Sequence, residues 1–191
     1  MEQPDWDTAT WQLLADLEVD AVLALSQVRR RYVPTAREKE IDLWLRVLRR
    51  RGAINLRRVW VPRTARARLA EEIVVIEPPG ASIRQEEMAH RLGLAEMRWR
   101  LRDGLRRWEV VAQAWPEKRT HGERPDAMAE DAAGLIAVEY DHGAYGAADV
   151  VRKQRAFAAL TPRQVWGTSS EPRRRWLHRH LRGQNIMVVV W

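Results

Sequence analysis

Residues 125–153 read PDAMAEDAAGLIAVEYDHGAYGAADVVRK. Asp126 follows a proline at the start of a short extended run. After a turn containing Gly134, the run Gly134–Asp141 (GLIAVEYD) has the length and β-branched content of a buried strand. Alternation along a strand sends Glu139 and Asp141 to one face and Tyr140 to the other. If the two runs pair as a hairpin, Asp126, Glu139 and Asp141 gather at one edge. A helix then begins near Ala147 and carries Lys153.

Three carboxylates and one ammonium suit a hard divalent metal, Mg²⁺ or Mn²⁺, beside a phosphodiester. Carboxylates hold the ion, and a cation steadies the attacking water and the developing phosphate charge. Lysine occurs only at positions 39, 118 and 153, against thirty arginines. A lysine beside an acidic strand therefore points to a need for a compact charge. The plain alternative is an Asp149–Lys153 pair at i,i+4 on a solvated edge.

The residues Pro125-Asp126 and Glu139-Tyr-Asp141 resemble the PD-(D/E)xK nuclease superfamily. In that superfamily a Pro-Asp opens one strand and Glu-x-Lys closes the next. Here Asp141 stands where the strand lysine is usual, and Lys153 falls on the following helix, where some members carry it. The resemblance implies Asp126, Glu139 and Lys153 as catalytic residues and Asp126, Glu139 and Asp141 as metal ligands. The departure at Asp141 bears on catalysis more than on fold.

The chain has 191 residues, enough for one sizeable core or two small ones, and no cysteine, which excludes disulfides and thiolate zinc sites. The opening MEQPDWDTATWQ is too acidic and polar for a signal peptide, and no apolar run reaches membrane-spanning length. A soluble, cytoplasmic protein with no membrane partner is expected. The net charge of +7 favours a polyanionic partner. The charge is concentrated: Arg29 to Arg68 holds fourteen basic residues against three acids.

That basic block falls on a definite order of elements. Trp11, Leu13, Leu14 and Leu17 begin one amphipathic helix, capped by Asp7 or Thr8. Asp20 caps a second, carrying Val22, Leu23, Leu25 and Val28 and broken before Pro34. Thr35-Ala-Arg-Glu38 reads as a capping box for a third, with Ile41, Trp44, Leu45 and Leu48 on its apolar face and Gly52 closing it. Lys39, Asp42, Arg46, Arg49 and Arg50 are left outward. Two short runs, Ala53–Leu56 and Val59–Val61, then turn through Arg57-Arg58. Three helices and a basic hairpin give the order of a winged helix-turn-helix, with Glu38 to Arg51 as recognition helix. The same order also fits a three-helix bundle that binds protein. Lys39, Arg46, Arg49, Arg50, Arg57 and Arg58 are the candidate contacts to duplex DNA, suited to phosphates more than to base edges.

Thr64–Glu72 reads as a short helix, Ile73–Ile76 as a strand, and Pro78-Pro79-Gly80 as a linker between domains spanning 1–77 and 81–191. Ser82-Ile-Arg-Gln85 reads as a second capping box, opening a helix to about Arg102. The resemblance to the nuclease superfamily, whose helix before the core strands can add a carboxylate, implies Glu86 and Glu87 in its first turn as further ligands; the alternative is that the helix dipole simply favours them there. From Ser82 the elements run α-β-β-β-α-β-α-β, with a strand expected over Trp108–Trp115. Hairpin-linked strands suit antiparallel pairing, and the helix-separated last three suit parallel pairing. The expected class is α+β: a winged helix-turn-helix followed by a PD-(D/E)xK nuclease-like domain with a mixed sheet.

Residues 10–170 are similar to the replication-relaxation family of bacterial plasmids and mobile elements, through LRRRGAI at the end of the recognition helix, PDA at 125–127, VEYDHG at 138–143 and Lys153. The resemblance implies an accessory role in replication, DNA relaxation or mobilisation, with replication or mobilisation proteins and a second copy as candidate partners. DNA binding itself calls for no cofactor. The alternative it implies is a Mg²⁺-dependent endonuclease.

Overall fold

The computed structural model describes residues 4–62, 70–81, 83–111, 123–181 and 183–189. These form a mixed α+β chain with six α-helices and two sheets. They divide into two units, those up to Ala95 and those from Glu96 onward. Among the described residues, no helix is long and apolar enough to cross a membrane.

In the first unit α1 spans Trp6–Asp20, β1 Leu23–Ala24, α2 Leu25–Tyr32, α3 Glu38–Arg50, β2 Asn55–Pro62 and β3 Ala70–Glu77. The cap of α1 is Asp5, whose carboxylate accepts the Thr8 backbone N–H at 3.1 Å. Asp20 ends α1 rather than opening α2. Ala21 takes a left-handed turn at φ 63°, and residues 23–24 are drawn into a sheet beside β3. The α2 start is then fixed by Gln27, whose side-chain oxygen accepts the Ala24 N–H at 2.9 Å. At α3 the reciprocal cap belongs to Glu40, which accepts the Arg37 N–H at 2.8 Å, two residues later than the Thr35/Glu38 box. Gly52, at φ 69°, closes the helix, and the Ala53 N–H donates to the Leu48 carbonyl at 3.0 Å.

The hairpin differs from the sequence expectation. Arg57 and Arg58 do not turn the chain; they lie within β2, which pairs with β3 over eight residue pairs from Asn55↔Glu77 to Pro62↔Ala70. The reason is long-range: the Arg57 guanidinium is met by the Glu77 carboxylate at 2.6 Å and by the Ile83 carbonyl at 3.0 Å. Val59 and Val61, which follow it on the same face of the strand, are buried. Of the helix expected over Thr64–Glu72, residues 70–72 belong to β3, and 64–69 lie outside the described residues. The sheet order is β1-β3-β2, antiparallel throughout.

Helix α4 runs Gln85–Leu101; Ser82, the expected cap, lies outside the described residues. The division of the chain falls inside α4, between Ala95 and Glu96, and not at Pro78–Gly80. Met88, Ala89 and Leu92 pack with Val59, Val61 and Val75, so the helix's first turns belong to the first core. The larger core of that unit joins Leu13 and Leu17 of α1 to Ile41, Trp44, Leu45 and Leu48 of α3.

In the second unit β4 is Leu105–Val110, β5 Ala127–Asp131, β6 Gly134–Asp141, α5 Ala147–Ala158, β7 Gln164–Thr168, α6 Glu171–His180 and β8 Asn185–Val188. Residues 112–115 of the expected fourth strand lie outside the described residues. The sheet order is β4-β5-β6-β7-β8. The first three strands pair antiparallel, and β6, β7 and β8 pair parallel, as their connections require. Ala137, Val150, Phe157, Trp166 and Leu177 form the core between this sheet and α5 and α6. Gly167 in β7 lets the Met97 thioether of α4 sit where a Cβ would otherwise be.

Candidate functional site

Two constellations emerge, one in each unit. In the first, α3 buries Ile41, Trp44, Leu45 and Leu48 and leaves Lys39, Arg46, Arg49 and Arg50 exposed. Arg46 lies 2.6 Å from Asp42, one helical turn away. Beside the helix opens a cavity of about 1020 Å³ lined by Arg29, Arg30, Lys39, Arg49 and Arg58, by the acids Glu38 and Asp42, and by apolar residues such as Leu45 and Leu56. Arg29 and Arg30 come from α2, and their part in this face was not separable in sequence from that of Arg31. Only the structure distinguishes them. Arg31, three residues after the buried Val28, turns inward, its guanidinium donating to the Ala95 carbonyl at 2.9 Å and standing 3.9 Å from Asp20.

The two strand arginines differ. Arg57 is committed to Glu77, whose side chain is 4 % exposed, and its guanidinium pKa is raised by that hydrogen bond. Arg58 is three-quarters exposed and 3.8 Å from Glu72. Of the six candidate contacts, Arg57 is therefore a structural clasp and the other five face outward.

In the second unit Asp126 immediately precedes β5 and Glu139 lies near the end of β6. The register puts Ala127 opposite Val138, so the hairpin brings both carboxylates to one end of the pair. The Tyr140 N–H donates to Asp126 at 2.7 Å. Glu139 is fully buried. Lys153 reaches in from α5, its Nζ 2.8 Å from Glu139 Oε1 and 3.6 Å from Glu123. The ammonium also stands 4.8 Å over the Tyr145 ring and 5.6 Å over Phe157. Neither oxygen of Glu139 accepts a hydrogen bond of ordinary geometry from the described residues, although Lys153 and the Tyr145 hydroxyl lie beside it.

Burial pushes the Glu139 pKa up, the Asp126 charge pushes it further, and Lys153 opposes both. Burial alone would lower the Lys153 pKa, but Glu139, Asp126 and Glu123 together raise it. The Tyr145 hydroxyl is likewise raised, first by burial and then by Glu139 and Asp126. This is a carboxylate pair sharing one cation in a dry setting.

Asp141 is not part of that group. Its Oδ2 accepts the Arg173 Nε at 2.7 Å, and its Oδ1 accepts the Gly143 N–H at 2.7 Å. Arg173 also donates to the Tyr145 carbonyl at 2.7 Å and stacks 3.8 Å over Trp176. The sequence supplied no signal for this pair, which joins positions thirty-two apart. Among the described residues no group of three or more His, Asp or Glu side chains is placed to hold a metal ion. Of the expected trio, Asp126 and Glu139 lie by Lys153, and Asp141 is paired with Arg173 instead. Asp149, for its part, pairs with Arg152 at 2.8 Å and accepts the Gly146 N–H at 3.0 Å, leaving Lys153 to Glu139. Glu86 and Glu87 are held by Arg84 in the first turn of α4, at 3.6 Å and 3.0 Å.

No family model, curated protein or solved structure matches this chain.

Proposed function

We propose that this chain is a DNA-binding accessory protein of plasmid or mobile-element replication or relaxation. Its first unit acts as a winged helix-turn-helix on duplex DNA. The second unit is read as a PD-(D/E)xK nuclease-like fold that serves dimerisation or the docking of a replication or mobilisation protein. The observation that carries the reading is the arginine-rich lining of the cavity alongside α3. Cations on α2, α3 and β2 around one concavity suit a phosphate backbone passing between helix and hairpin. The element order α-β-α-α-β-β and the sheet order β1-β3-β2 support the winged-helix assignment.

The test is the affinity for a random-sequence duplex measured across salt concentrations. A steep fall of log K with log salt supports the reading, because counterions are released as phosphates are neutralised. Salt-independent or immeasurable binding at low ionic strength refutes it.

A second reading, a Mg²⁺- or Mn²⁺-dependent endonuclease, is favoured by one observation: the Glu139 carboxylate is buried next to Asp126 with a lysine ammonium at 2.8 Å. Asp126 and Glu139 would supply two oxygen donors for the ion, which would polarise a phosphoryl oxygen. Asp141 is engaged by Arg173. Supercoiled plasmid incubated with and without Mn²⁺ decides this: nicking that needs both the metal and Glu139 supports it, and intact plasmid sinks it.

A further inference from the structure

Four residues of α3 follow the spacing i, i+4, i+7, i+11: Lys39, Leu43, Arg46 and Arg50. At 3.6 residues per turn they form a single stripe along the helix. The stripe lies diametrically opposite the buried residues Ile41, Trp44, Leu45 and Leu48, and all four of its members are exposed. Glu38, Asp42, Leu45 and Arg49 fall on the adjacent flank and line the cavity, which Lys39 of the stripe also borders. The stripe is therefore the crest of the helix, the part that enters deepest when the face is pressed into a groove.

Three members of the crest are cations, and the fourth is a leucine that is 64 % exposed. Leu43 stands one turn from Lys39 on one side and from Arg46 on the other. Asp42 beside it pairs with Arg46 at 2.6 Å, which holds that guanidinium against the helix. An apolar side chain with Lys39 one turn before it and Arg46 one turn after it along the crest fits a partner that is polyanionic outside and apolar at one point inside. Duplex DNA presents that combination in its major groove, where the only apolar feature among the base edges is the C5-methyl of thymine.

We propose that Leu43 makes the DNA-binding face sequence-selective by packing on a thymine methyl, with Lys39, Arg46 and Arg50 holding the helix in register through phosphate and base-edge contacts. The inference rests on the DNA-binding reading above and goes beyond its phosphate contacts.

The experiment begins with selection of bound duplexes from a random pool. The enriched duplex is then synthesised twice, once with thymine and once with uracil, which lacks only the methyl. The full-length protein should bind the uracil duplex about fourfold more weakly per contacted methyl. Leu43→Ala, at an exposed position whose loss leaves the core intact, should bind both duplexes alike, at the level of wild type on uracil. Leu43→Ile should keep the preference.

Selection that enriches thymine at no position overturns the proposal, as does equal binding of the two duplexes by wild type. In either case the DNA-binding reading survives. Failure to bind any duplex at low salt overturns both. If Leu43→Ala retains the thymine preference but changes the protein's mass in sedimentation, Leu43 belongs to a contact between copies of this chain, and the proposal is wrong.

Discussion

The ammonium of Lys153 stands 2.8 Å from Glu139 Oε1, and this contact joins the middle of α5 to the buried end of β6. Asp126 and Glu123 stand beside the lysine as well, and Glu123 is also paired with Arg152 at 2.7 Å. At Glu139 burial and the Asp126 charge outweigh the ammonium, which makes the ionised carboxylate costly.

Replacing Asp126 with Asn should therefore stabilise the protein in the absence of metal. The amide oxygen can still accept the Tyr140 N–H, while the repulsion on Glu139 is removed. At pH 8 we expect a melting temperature higher by roughly 2–4 °C, corresponding to about 1 kcal/mol in a chain of this size. If Asp126 and Glu139 hold Mn²⁺, the mutant should also lose any stabilisation the ion confers on wild type. A lower melting temperature for the mutant at pH 8 would refute the repulsion argument.

The pH dependence follows in sign. The folded-state pKa of Glu139 lies above its ordinary value of 4.5, so the native state prefers the protonated form. The contribution of this group is most favourable below the ordinary value and declines as pH rises through the folded one. Glu139→Gln should remove that decline. Thermal unfolding of wild type and mutant from pH 4 to 9 should give curves whose difference changes mainly above the ordinary glutamate pKa. Parallel curves would mean that Glu139 titrates normally.

Arg173→Leu should be strongly destabilising, because it leaves Asp141, with no exposed side-chain surface, as an unpaired buried charge. Removing one partner of such a pair costs about 3–5 kcal/mol. The double variant Asp141→Asn/Arg173→Leu should recover much of the loss. Urea denaturation measures both, and a loss below about 1 kcal/mol for the single variant would show that Asp141 finds water or another donor.

The arginines of the first unit should separate into two kinds. Arg29→Ala/Arg30→Ala should flatten the salt dependence of DNA binding by about 1.8 in log–log slope if both contact phosphates. Reversal of Arg46, Arg49 and Arg50 to Glu should weaken binding severely. Arg57→Ala should act on stability instead, by roughly 1–3 kcal/mol, since it strands the buried Glu77. DNA affinity lost on Arg57→Ala with unchanged stability would reverse the two assignments.

Elements with a strong local pattern were legible in the sequence, and contacts across long separations were not. The β6 run and the α5 helix announced themselves by β-branched content and by periodicity. The mixed pairing of the second sheet followed from the lengths of its connections. Arg57-Arg58 looked like a turn because two cations interrupt an apolar run, and the partner that keeps them in a strand, Glu77, lies twenty positions away. The start of β3 looked helical because Ala70-Glu71-Glu72 favours helix, and pairing with β2 overrides that preference. Pro78–Gly80 looked like the place where one unit ends, yet Met88, Ala89 and Leu92 are needed to fill the first core. Asp141 read as a ligand because strand alternation is local, whereas Arg173 arrives from another helix.

The scarcity of lysine has a practical consequence for amine chemistry. Lys39 is exposed on the crest of α3, while Lys153 is 12 % exposed and lies over two aromatic rings beside Glu139. An acylating reagent needs the neutral amine, and the raised pKa of Lys153 keeps it protonated to higher pH than an ordinary lysine. Of these two side chains, acetylation should mark Lys39 quickly and Lys153 slowly. The protein thus carries its own pair of chemical footprints, one fast and one slow. Bound DNA would silence the first, and only local opening of the second unit would expose the other.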